Sequence, residues 1–189
     1  MRFHPCVLFG GLLALCAATA AEASQTYSFS GETTASSPIF AIPKPGSPPT
    51  ELFLPGDEPY SAFVFSVSTS GSYSFASTST GYDNYTVLYA GSFVPSSPLT
   101  NVLIANDDLG SAEVSGFDYS LAAGTRYVWV NTAFLPMEFG PFSATITGPG
   151  QVQALSPVPE PDGLAMLLAG TGVVGLMARR LRGRRNVSG

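Results

Sequence analysis

The chain has 189 residues and a formal net charge of −5, with 45% apolar residues and only 11% charged ones. Its two cysteines and its one histidine (Cys6, Cys16, His4) all fall near the N-terminus, in a segment with the features of an export signal. Once that segment is removed, no disulfide, thiol nucleophile, imidazole base or His/Cys metal ligand is left, which excludes zinc, haem, iron–sulfur and Ser-His-Asp or Cys-His chemistry.

In chain order, Arg2 supplies a positive start, Val7 to Ala18 an apolar run, and Ala21-Glu22-Ala23 a small-x-small cleavage site. This pattern predicts a signal peptide over residues 1–23, with Ser24 as the first mature residue. Between Ser24 and Pro157 ten acids stand against Lys44 and Arg126, a net charge of about −8. Such a surface repels nucleic acid phosphates, so no nucleic acid partner is expected.

Residues 24–150 are long enough for one core. The segment SSPIFAIPKPGSPPTELFLPGDEP holds too many prolines for a central strand and reads as a long loop. After it, period-two alternation recurs. SAFVFSVS puts Phe63, Phe65 and Val67 on one face, GSYSFAS gives Tyr73 and Phe75, and NYTVLYA gives Tyr85, Val87 and Tyr89. NVLIAN, AEVSGFDYSL, TRYVWVNTA and FSATITG follow, divided by Gly, Pro, Asn and Ser. The expected fold is all-β, an antiparallel β-sandwich or jelly roll. Trp129, between valines in mid-strand, reads as core, although a tryptophan or an exposed tyrosine could also stack on a sugar ring.

Asp83, Asn106, Asp107 and Asp108 offer hard oxygen donors for calcium. Asp107 and Asp108 are adjacent and can converge only in a loop, and no interleaved D-x-D-x-D-G spacing is present. A solvated Asx-turn is the other reading. Paired acids such as Asp57 and Glu58 could cleave glycosides only when held about 5 to 9 Å apart. Nothing in the sequence sets that spacing, so the expectation is a protein that is not an enzyme.

GYDNYTVLYAGSF and IANDDLGSAEVSGFDYSLAAGTRYVWV resemble the bacterial pre-peptidase C-terminal domain and its jelly-roll relatives. The resemblance runs through Asp83, Leu88, Tyr89, Asn106, Asp107, Asp108, Gly110, Ala123, Gly124, Thr125, Tyr127 and Val128, over roughly residues 60–148. It implies a non-catalytic accessory domain of a secreted protein, of a kind in which some relatives bind calcium.

Residues 151–157 read as a linker, followed by Val158-Pro159-Glu160-Pro161 and by Gly163 to Ala178, 16 residues without a charge. As a helix the run reaches about 24 Å, short of a hydrocarbon core of about 30 Å, and predicts a single marginal transmembrane helix. Arg179, Arg180, Arg182, Arg184 and Arg185 complete the span and hold the C-terminus in the cytoplasm. The prolines keep the tetrapeptide extended and unable to start a helix. This motif, helix and arginine cluster, over 158–185, closely resemble the PEP-CTERM sorting signal of Gram-negative bacteria. The resemblance implies processing by an exosortase, a transient inner-membrane anchor, and release to the cell surface or to an extracellular, exopolysaccharide- or biofilm-associated matrix. A permanently tethered envelope protein whose sandwich binds carbohydrate or protein is the alternative.

Overall fold

The computed structural model describes residues 23–156; the expected signal peptide over 1–23, all but its last residue, the Pro-Glu-Pro motif, the apolar run and the arginine cluster lie outside them. The described residues contain ten strands and no helix: β1 (Gln25–Glu32), β2 (Ile39–Phe40), β3 (Glu58–Val67), β4 (Gly71–Ser79), β5 (Asn84–Ala90), β6 (Val102–Asn106), β7 (Val114–Leu121), β8 (Tyr127–Ala133), β9 (Pro141–Gly148) and β10 (Val152–Ala154). They form two antiparallel sheets, one ordered β1-β9-β4-β7 and the other β10-β3-β8-β5-β6, with β2 on the edge of β3. This is a β-sandwich, as the alternation predicts.

The two sheets follow from two burial patterns. In β4 and β9, buried and more exposed residues alternate, because one face meets the core and the other meets water. In β8 every residue is buried, and in β5 all but Ala90, because both faces of the larger sheet are covered. Its inner face joins Phe65, Val67, Leu88, Tyr127 and Trp129 to Tyr73, Phe75, Phe117, Phe142 and Ile146 of the smaller sheet. Trp129 is fully buried there, edge-on to Phe75 with ring centroids 5.1 Å apart, which removes it as a sugar platform.

The outer face of the larger sheet is a second apolar layer of Val64, Tyr85, Val87, Tyr89, Val128 and Val130. The proline-rich segment, read from the sequence as a long loop, covers it as a structural flap. Phe40 and Ile42 are buried against the layer, and Phe53 packs beside it. Lys44 N donates to Glu51 O at 2.8 Å and Phe53 N to Ile42 O at 2.9 Å, so the segment folds back on itself. Paired bonds between Gly46 and Ala105 and a 2.6 Å bond from Tyr85 Oη to Pro43 O fasten it to the sheet. Its prolines interrupt extended pairing, yet leave these few backbone groups free to bond.

Two further strands stand apart from the sequence reading. β1 pairs along all eight residues with β9, from Gln25↔Gly148 to Glu32↔Pro141. β10 falls within the expected linker and pairs with β3 through Val152↔Val67 and Ala154↔Phe65.

Candidate functional site

Antiparallel pairing brings the acidic residues together. β5 and β6 are in register through Thr86↔Asn106, so Asp83, just before β5, lies beside Asp107 and Asp108, just after β6. One carboxylate oxygen from each of Asp83, Asp107 and Asp108 lies within 4.8 Å of the others. Asp83 and Asp107 are half-buried and Asp108 is exposed. The β6–β7 loop that carries two of them closes on itself, with Leu109 N donating to Val114 O and Val114 N to Ser111 O. Gly110 has φ 91°, a conformation that a side chain strongly disfavours, which accounts for a glycine two residues after Asp108.

The carboxylates are poorly compensated. Asp83 Oδ1 and Asp107 Oδ1 are buried with no hydrogen-bond partner among the described residues. The two cations of the described residues are engaged elsewhere: Lys44 Nζ bonds Glu51 at 2.6 Å, and Arg126 Nε donates to Gly91 O at 3.1 Å. Burial first, and then the charges of Asp83 and Asp108, push the Asp107 carboxyl up to about 6. Asp83 is raised as well, by burial and then by Asp108 and Glu138.

Asn106 plays a different part from the oxygen donor expected of it. Its Nδ2 donates to Gly116 O at 2.7 Å and to Asp108 O at 3.3 Å, so its amide brackets the acidic loop. Glu138, absent from the sequence reading of the site, is brought in by the β5–β8 register Asn84↔Ala133. There Asp83 N donates to Glu138 Oε2 at 3.3 Å. The pair Asp57 and Glu58 diverges, with Asp57 exposed and Glu58 buried.

Calcium binds oxygen donors at about 2.3–2.6 Å, so two donors on one ion stand at most about 5 Å apart. The mutual 4.8 Å limit on the three carboxylates satisfies that condition. The donor set, all carboxylate oxygen and partly withdrawn from water, fits a hard divalent cation and not a soft one.

The fold and this loop define an all-β sandwich with a three-carboxylate cluster at one end. No family model matches the chain, and no curated protein matches it.

Proposed function

We propose that this is an exported, non-catalytic cell-surface or matrix protein, built as a jelly-roll-like module and sorted through its C-terminal segment by an exosortase. Val158-Pro159-Glu160-Pro161 is the recognition strand, the run 163–178 is a temporary inner-membrane anchor, and Arg179, Arg180, Arg182, Arg184 and Arg185 hold the tail in the cytoplasm. The module acts outside the membrane, in exopolysaccharide or biofilm surroundings. Asp83, Asp107 and Asp108 hold a calcium ion that neutralises their mutual repulsion and ties the β6–β7 loop to β5.

The observation that carries this reading is the sequence order of motif, uncharged run and arginines over 158–185, in a chain whose residues 1–23 have the pattern of an export signal. The limits of the sandwich support it. β1 starts at Gln25, one residue after the expected mature start, and β10 ends at Ala154, four residues before Val158.

The test is a C-terminal tag followed through membrane and extracellular fractions of the source cells. Wild type loses the tag, whereas Glu160→Ala keeps it and accumulates full-length at the inner membrane. A wild-type tag retained at full yield shows a permanent anchor and contradicts sorting. Loss of the tag from both forms shows that Glu160 is not what the processing enzyme reads.

A further inference from the structure

One row of the sandwich interior is polar. Along the larger sheet the register Ser61↔Asn131, Asn131↔Thr86 and Thr86↔Asn106 places four polar residues side by side. The smaller sheet faces them with the register pair Ser77↔Ser115. Some of these groups pair across the core: Thr86 Oγ1 with Ser115 Oγ at 2.8 Å, and Asn84 Nδ2 donating to Ser77 Oγ at 3.0 Å. Ser115 Oγ also donates to Asn106 O at 2.9 Å, so the row underlies the residue that brackets the acidic loop.

Four atoms of this region meet no partner among the described residues: Asn131 Oδ1, Asn131 Nδ2, Asn84 Oδ1 and Trp129 Nε1. All three residues are at most 1% exposed. They share the inward face, since Trp129 belongs to the inner core and Asn131 follows it by two along β8, while Asn84 is bonded across the sandwich. Asn84 pairs with Ala133, so Asn131 is its diagonal neighbour, about 7–8 Å away between backbones. The two amides make no direct bond at this separation, because both amide atoms of Asn131 and Asn84 Oδ1 lack a partner, and one water can bridge them. The unpartnered groups on this face, two N–H donors and two carbonyl acceptors, are the balanced set that buried water takes. Leaving them all unpaired in a core is strongly disfavoured.

We infer that Asn84, Asn131 and Trp129 form an internal hydration site, holding ordered water that bridges the two asparagine amides and accepts the indole N–H. The site explains why an otherwise aromatic interior keeps two asparagines where leucine would pack. It gives the acidic loop a hydrogen-bonded base through Thr86, Ser115 and Asn106. This inference does not depend on calcium or on sorting.

The test uses the full chain purified in detergent. In wild type, nuclear magnetic resonance at the water frequency should show a cross-peak from long-lived water to the Trp129 indole proton, the only indole in the chain. A second measurement replaces Asn131 by Leu. If water pairs these groups, Asn131→Leu strands Asn84 and Trp129, lowers the melting temperature by about 4–8 °C and blue-shifts the tryptophan emission. An absent cross-peak in wild type overturns the inference. So does a rise in melting temperature for Asn131→Leu with unchanged emission, because it means the amide was an unpaired burden. Should Asn131→Leu fail to fold, the wild-type cross-peak decides alone.

Discussion

Replacing Asp107 by Asn removes one charge from the cluster and keeps its shape. The Asp107 carboxyl is raised from 3.8 to about 6, so without a cation the folded protein binds that proton more tightly than the unfolded chain does. A raised folded value means the contribution to stability is full below about pH 4 and is lost as pH rises through about 6. Two units correspond to at most about 3 kcal/mol, and solvent screening of a half-buried group brings this to roughly 1 kcal/mol. For a domain of this size that is about 3–5 °C. Asp107→Asn should therefore melt about 3–5 °C higher than wild type at pH 7 in chelator, and the gap should close by pH 4. Calcium should reverse the order. At a hundredfold excess over the dissociation constant, binding stabilises wild type by about 2.7 kcal/mol, and the variant, short of one carboxylate, gains far less. The assay is a melting curve of each protein at pH 4 and 7, with and without about 10 mM calcium, a level that saturates sites of extracellular affinity. If Asp107→Asn melts lower than wild type at pH 7 in chelator, the carboxylates are not in repulsion and the electrostatic reasoning is wrong. If calcium shifts both proteins equally, or neither, the cluster is not its site.

Two further outcomes concern the flap. Glu58 is 2% exposed, its Oε2 meets no partner among the described residues, and burial raises its carboxyl above the ordinary value. Its contribution is therefore lost as pH rises, and Glu58→Gln should raise the melting temperature at pH 8 more than at pH 4; an equal shift at both would show that charge is not the cause. Phe40 is 3% exposed, edge-on to Tyr60 and Phe93, so Phe40→Ala should cost about 3–5 kcal/mol by chemical denaturation. A cost below about 1 kcal/mol would mean that the segment merely lies on the sheet.

The central strands were legible because alternation is a local signal. Phe63, Phe65 and Val67 do share the inner face, and Tyr85, Val87 and Tyr89 the outer one. β1 is harder to read, since only Tyr27 and Phe29 point inward among serines and its partner β9 lies more than a hundred residues on. The flap was hidden for another reason. Its prolines are a true sign of irregular backbone, but the need to cover Val87, Tyr89 and Val130 appears only once both faces of the sheet are known. For the site, the acidic residue types pointed to Asp83, Asp107 and Asp108, whose convergence follows from the β5–β6 register. Glu138 depends on a different pairing, with β8, and Asn106 turned on which end of its amide faces the loop. Neither is written in local spacing.

The most direct measurement of the central claim is the intact mass of the protein recovered from its source cells. Sorting with export predicts a chain that begins at Ser24 and ends at or near Val158 to Pro161, lacking the apolar run and all five arginines that follow it. A mass that retains Gly163 to Arg185 in the surface or extracellular fraction would contradict it.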